Sequence, residues 1–159
     1  MAELNITAEP GKQEITFTRV FDAPRELVFR AWMDPELIPQ WLGPRRLSMT
    51  VVEMDARRGG SWCFVHRDAD GNEYGFRGVH HDVVPPERVV RTFEFEGMPG
   101  HVQLETLALE DFEGKTRVRG QAVFQSQEAR DGELNSGMEA GLSESFDRLD
   151  ELLKQLRHR

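Results

Sequence analysis

The longest regular pattern in the chain lies near its C-terminal end, in residues 137–156. Apolar or small side chains recur there at intervals of three and four residues, and charged side chains take the opposite positions. This spacing predicts a long amphipathic helix with one apolar face. Leucines fill the second half of that face, whereas Gly141 and Ser145 lie in the first half. Because glycine inside a helix costs about 1 kcal/mol relative to alanine, Gly141 indicates a close backbone contact or a cavity.

Most of the remaining chain alternates apolar and polar residues, which predicts β-strands. The predicted strands are 14–21, 48–55, 61–67, 73–84, 88–96, one that begins near 102, and 116–125. Asp22 is predicted to cap a short helix at Pro24, and Asp34-Pro35 starts a second one. This order predicts an α+β fold in which a curved antiparallel sheet of about six to seven strands packs against the long final helix. Two short helices follow the first strand.

The composition fits a single globular domain. The chain has 159 residues, of which 38% are hydrophobic and 30% are charged. Residues 1–12 are polar and contain Pro10-Gly11, so we predict a flexible tail there and one domain over 13–159. The net charge of −8 argues against nucleic acid as a main partner, because phosphate binding needs a positive surface.

The chain carries no pattern for membrane insertion or export. It has no apolar run of about 18 residues, and its start lacks the basic and apolar parts of a secretion signal. Cys63 has no second cysteine to pair with. We therefore expect a cytoplasmic protein that is a monomer or a weak dimer.

Hairpin geometry places aromatic side chains on the inward face of the sheet. A three-residue loop at 69–71 sets Phe64 opposite Phe76 and Trp62 opposite Gly78.

A four-residue turn at 97–100 would place Phe93 beside Leu104. Leu107 and Leu109 would then point outward, unless a bulge near Glu105 changed their phase.

One helix is too narrow to cover so wide a curved sheet, which predicts a cavity between the two. The alternative is that glycines on the inward face only permit bending or close helix packing. The candidate lining residues are the inward aromatic and aliphatic residues and three polar ones: Trp62, Phe64, Phe76, Phe93, Leu104, Phe124, Met138, Gly141, Leu142 and Phe146, with His80, Asp82 and Arg91.

The three polar candidates have two interpretations. If residues 85–88 form a four-residue turn, Asp82 pairs with Arg91 across a hairpin, near His80. The pair is then a partly buried ion pair at the mouth of the cavity. Alternatively, it orients a ligand or acts as an acid–base pair.

No catalytic or metal-binding motif is present. The chain lacks the zinc-protease, paired-cysteine, nucleophile-elbow and phosphate-loop patterns. His80 and His81 are adjacent on a predicted strand and face opposite sides, so they cannot share a metal. We expect no catalytic residue, no metal and no cofactor, and we assign Cys63 a structural role.

Three segments resemble a known family: ITFTRVFDAPRELVFRAWMDPELIPQWLGP, GFRGVHHDVVPPERVVRTFEFEG and GMEAGLSESFDRLDELL. They look like the activator of heat-shock-protein-90 ATPase homologue family, within the START-like, birch-pollen-allergen-like superfamily. The resemblance covers roughly residues 12–156. It implies a helix-grip fold, in which the sheet curls around the last helix, and a cavity for apolar molecules. It transfers no catalytic residue.

Three functions follow as hypotheses. The first is binding of an apolar or aromatic small molecule in the cavity. The second is an interaction module for a chaperone or stress-response protein. Exposure of Leu107 and Leu109 on the outer face of the sheet would indicate this function. The third is a cyclase- or hydrolase-type enzyme that uses Asp82, Arg91 or His80.

Overall fold

The alternating segments form one antiparallel sheet of eight strands in the computed structural model, which describes residues 3–158. The strands are β1 (Asn5–Thr7), β2 (Glu14–Phe21), β3 (Ser48–Met54), β4 (Ser61–Arg67), β5 (Glu73–Val84), β6 (Arg88–Phe95), β7 (Val102–Phe112) and β8 (Lys115–Val123). Their order is β1-β2-β8-β7-β6-β5-β4-β3. The predicted α+β class and curved antiparallel sheet are confirmed.

Three α-helices and one 3₁₀ helix complete the described part of the chain. They are α1 (Arg25–Met33), the 3₁₀ helix Ile38–Gln40, α2 (Gln127–Leu134) and α3 (Met138–Arg157). The long final helix and the two short helices after β2 match the sequence-based expectation.

Helix α2 was missed by the sequence analysis because it carries no apolar stripe. Arg130 is its one buried residue among those described. Its guanidinium donates to the carbonyl oxygen of Glu9 at 2.7 Å, and the Ser126 hydroxyl caps the helix by accepting from the Ala129 backbone N–H.

The structure differs from two predictions about segment starts. Within the proposed flexible tail at 1–12, of which residues 1 and 2 lie outside the described residues, β1 pairs with β2 through Ile6 and Phe17. Asp22 does not cap α1, which begins after Pro24 without a side-chain cap. Asp22 instead accepts a hydrogen bond from Arg157 near the end of α3.

The register between β4 and β5 is as predicted. Phe64 lies opposite Phe76, and Trp62 lies opposite Gly78.

The register between β5 and β6 differs from the predicted pairing of Asp82 with Arg91, by one residue at Asp82 and by two at Arg91. Arg91 pairs with His80, whereas Asp82 pairs with Val90. The extra residue is His81, which forms a bulge in β5. A bulge of this kind changes the face that the following side chains take.

The register between β6 and β7 is also shifted by one residue. Phe93 lies opposite Gln103, not Leu104. Within the connection, the Glu94 carboxylate accepts a hydrogen bond from the Gly100 backbone N–H at 2.7 Å. The shift turns Leu107 and Leu109 towards the interior, so their predicted outward orientation is wrong.

The main core lies between the sheet and α1 and α3. It is formed by aromatic and aliphatic side chains from β2, β6, β7, β8 and the helices, among them Phe21, Val28, Trp41, Val89, Leu109, Val118, Phe146, Leu149, Leu152 and Leu153. A smaller cluster holds Ile38, Trp62 and Phe64. The leucine-rich half of α3 is therefore packed solidly.

Candidate ligand-binding cavity

A cavity of about 350 Å³ lies between the sheet and the first half of α3. Its walls come from β2, β4, β5, β6, β7 and β8, from the 3₁₀ region, and from α1, α2 and α3. The apolar part of the wall includes Ile15, Phe17, Trp32, Trp41, Phe64, Phe76, Val89, Phe93, Leu107, Phe124, Met138, Leu142 and Phe146.

Most of the residues predicted to line a cavity lie on this wall. They are Phe64, Phe76, Arg91, Phe93, Phe124, Met138, Gly141, Leu142 and Phe146. Their contact with a ligand remains a prediction. The wall also includes His66, Gln103, Glu105 and Glu133, which the sequence analysis did not select.

Two apolar candidates lie elsewhere. Trp62 is 1% exposed and lies under Arg91, whose guanidinium carbon is 4.3 Å from the ring centroid. Its Nε1 donates to the Thr92 carbonyl oxygen at 3.2 Å. The indole therefore packs beneath the cavity wall and does not line it. Leu104 is 44% exposed because the shift in β7 turns it to the outer face of the sheet.

Two polar candidates are also away from the cavity. His80 is fully buried, and its Nδ1 lies 3.0 Å from the Asp55 carbonyl oxygen and 3.2 Å from that of Gly60. It therefore holds the β3–β4 connection. Asp82 pairs with Arg88, not with Arg91, because of the bulge in β5.

Gly141 opens the cavity on its helix side. A Cβ atom added there would have no atom within 4 Å, apart from its own helix and chain neighbours. The two sequence-based alternatives for this glycine were close packing and free space. The geometry corresponds to free space.

Arg91 forms a polar group on the cavity wall with residues of β7. Its Nε donates to Glu105 Oε1 at 3.1 Å, and Gln103 Nε2 donates to Glu105 Oε2 at 3.0 Å. The Arg91 side chain is only 15% exposed and also lies over the Trp62 ring. This arrangement neutralises the charge of Arg91 inside the protein.

Glu133 places a carboxyl group at the α2 end of the cavity. Desolvation, and then the negative charge of Glu105, raises the pKa of Glu133. The residue is nonetheless exposed by surface area. A position at the cavity mouth, surrounded by protein but open on one side, accounts for both properties.

His66 contributes an imidazole to the wall near the start of α3. The side chain is buried, and its Nδ1 has no hydrogen-bond partner among residues 3–158. Its ring packs edge-on against Phe76 and lies under Gly43. Burial, and then the positive charge of Arg148, lowers the pKa of His66.

The described residues contain no group of three or more histidine, cysteine or acidic side chains that could hold a metal. Cys63 is partly buried beside Glu96, and desolvation raises the pKa of its thiol. Within residues 3–158, the helices are too short or too polar to cross a bilayer.

Solved structures of several bacterial proteins share this fold. A protein from Rhodobacter sphaeroides superimposes with a TM-score of 0.90 at 28% identity, covering 96% of this chain and 99% of that chain. One from Staphylococcus epidermidis has a TM-score of 0.80 at 30% identity, with 94% of each chain covered. The AHSA1 protein from Silicibacter pomeroyi has a TM-score of 0.73 at 22% identity, covering 89% and 98%.

Family membership is shown at the sequence level. No curated protein matches the chain. The family model described as Activator of Hsp90 ATPase homolog 1-like protein matches residues 22–154, which include every strand from β3 to β8 and most of α3. Together with the helix-grip arrangement of sheet and α3, this match shows that the chain belongs to the Activator of Hsp90 ATPase homolog 1-like family.

Proposed function

We propose that the chain binds an apolar or aromatic small molecule in the cavity between the sheet and α3. The observation that carries the proposal is a space of about 350 Å³ with a mostly apolar wall and a few polar side chains. Small-molecule sites in proteins commonly have volumes of about 300–1,000 Å³ and this type of lining. The apolar wall would desolvate the ligand, and the polar side chains would orient it.

The position of the cavity supports the proposal. Protein interiors are close-packed, and an empty apolar space destabilises the fold by about 24 cal/mol per Å³. A bound molecule would restore the lost contacts. Gly141 supports the same conclusion, because any larger side chain there would extend into the space.

Calorimetric titration with 2-naphthol tests this proposal. We expect saturable binding to the wild-type protein. Gly141→Phe should weaken it at least tenfold, since the new ring would occupy the cavity. Gly132→Phe is the matched control, because Gly132 is exposed on α2 and an added side chain meets open space. Unchanged affinity in Gly141→Phe, or equal loss in both variants, would contradict binding at this site.

A chaperone-associated role is the second candidate function, and the description of the matching family favours it. The prediction that Leu107 and Leu109 form its exposed contact surface is wrong, because Leu109 is 3% exposed and Leu107 packs against the core. The role can be tested with a purified heat-shock-protein-90 chaperone. Co-precipitation together with a rise in ATP hydrolysis would support it, and the lack of both would remove it.

The proposed setting is the cytoplasm, with the chain as a monomer or weak dimer. The unpaired Cys63 supports a reducing compartment. Light scattering coupled to gel filtration would test the oligomeric state, and a stable dimer at micromolar concentration would contradict it.

A further inference from the structure

His66 is the buried polar group on the cavity wall whose hydrogen-bonding capacity is unused. Its side chain is 9% exposed, and Nδ1 has no partner within residues 3–158. Leaving a buried polar atom unpaired costs about 1–3 kcal/mol. Because Nδ1 itself is enclosed beside Gly43, a turn of the ring about its Cβ–Cγ bond would present it to a ligand group in the cavity.

Among the other polar side chains on the wall, Thr106, Gln121 and Glu133 are partly or fully exposed to water, and the remaining four already have hydrogen-bond partners. Arg91 and Gln103 both donate to Glu105. The Ser145 hydroxyl accepts from a backbone N–H at 2.9 Å. An incoming polar group would have to displace an existing partner at each of these four engaged side chains, whereas at His66 it would not.

The chemistry of the imidazole selects the kind of ligand group. Because burial and Arg148 lower the pKa of His66, the ring is neutral at pH 7. A neutral imidazole has one N–H donor and one nitrogen acceptor. A hydroxyl group can donate or accept, so it pairs with either tautomer, whereas a hydrocarbon offers neither function.

We propose that His66 anchors the ligand, and that the ligand is an apolar or aromatic molecule carrying a hydroxyl group. This rests on the proposed binding function. The hydroxyl would contact the His66 ring, and the apolar body would lie along Phe76 and Phe64 beneath Gly141. The two aromatic side chains are placed for this because Phe64 is two residues from His66 on one strand face and pairs with Phe76.

A pair of probes that differ by one hydroxyl tests the proposal. We expect wild-type protein to bind 2-naphthol three- to tenfold more tightly than naphthalene, the usual range for one net hydrogen bond. In His66→Phe the two affinities should become equal, with naphthalene binding retained. Retained naphthalene binding also shows that the variant is folded. His66→Gln keeps an amide that can donate and accept, so it should restore part of the preference.

The outcomes separate this inference from the proposed function. If the preference for 2-naphthol persists in His66→Phe, or is absent from the wild type, His66 is not the anchor. Binding in the cavity would still stand. If the wild type binds neither probe, the anchor and the proposed function both fail.

Discussion

At the scale of single residues, glycine positions decide where the interior is tight and where it is empty. An added Cβ at Gly78 would lie 1.9 Å from the Thr92 carbonyl oxygen, whereas one at Gly141 would meet nothing. In the sequence, Gly141 and the glycines on the inward face of the sheet are compatible with either close packing or a cavity. Sequence could not separate them, because the difference depends on how closely the neighbouring strand or helix approaches.

Gly78→Ala should destabilise the fold by about 2–3 kcal/mol, because the methyl group would be forced against backbone and the Trp62 ring. Gly75→Ala on the same strand is the control. Its Cβ would meet the flexible end of Glu96, which can move away. Urea denaturation should give a loss for Gly75→Ala below about 1 kcal/mol. Equal losses would contradict the close approach at Gly78.

Two buried histidines predict a fall in stability under mildly acidic conditions. Desolvation is the main cause that lowers the pKa of both His66 and His80 in the folded protein. As the pH falls through about 6.5, the unfolded chain binds protons that the folded chain resists, so the free energy of unfolding decreases. The contribution is fully present above that pH and is lost progressively as the pH falls below it.

Denaturation at several pH values between 5 and 8 measures this effect. The free energy of unfolding should rise with pH in the wild type. The rise should be smaller in His66→Gln, which removes one of the two groups. A variant slope equal to that of the wild type would contradict a neutral, buried His66.

At the scale of elements, α3 is held at its packed half by an ion pair with β2 in which the arginine is buried and the aspartate is partly exposed. The Arg19 guanidinium is 5% exposed, donates to both carboxylate oxygens of Asp150 at 2.5 and 3.1 Å, and lies over the Phe21 ring. The leucines beside this pair fill the core. The helix is therefore anchored at one half and borders free space at the other.

Asp150→Ala should cost about 2–3 kcal/mol, since the buried Arg19 charge would keep the Val20 carbonyl oxygen and, as its remaining carboxylate among residues 3–158, Asp147 at 3.9 Å. Glu151→Ala is the matched control on the same helix. Its pair with Arg45 is more than half exposed, and such pairs contribute about 0–1 kcal/mol. Thermal unfolding of the two variants compares them. Losses of similar size would contradict the anchoring role of Asp150.

The elements themselves were largely predictable, and the connections were not. Alternation along β4 and β5 and the apolar stripe of α3 predicted Phe64, Phe76 and Leu142 as lining residues, and these three lie on the cavity wall. A shift of one residue changes the face of every side chain that follows. Because of the bulge at His81, Asp82 pairs with Arg88 and does not lie on the cavity wall.

The loop between β6 and β7 had the same effect on a larger scale. It shifts the register between β6 and β7 by one residue, so that Glu105 and not Leu104 lies on the cavity wall. The pairing of Arg91 with Glu105 could therefore not be predicted from the sequence. His66 could have been identified, because it shares a face with Phe64 on β4.

At the scale of the whole molecule, one curved sheet and one helix enclose two regions of different character. The half around Leu149 and Leu153 is close-packed, and the half around Met138 and Gly141 encloses the cavity. The division follows from the residue sizes along a single helix. It separates the part of the fold that provides stability from the part that we propose binds a ligand.

The most direct test of the account is an NMR titration of the isotope-labelled wild-type protein with 2-naphthol. The account predicts saturable shifts in the methyl signals of Met138 and Leu142, while those of Leu152 and Leu153 stay in place. Gly141→Phe should abolish the shifts. An absence of shifts, or shifts that appear first at Leu152 and Leu153, would contradict a ligand-binding cavity beneath the start of α3.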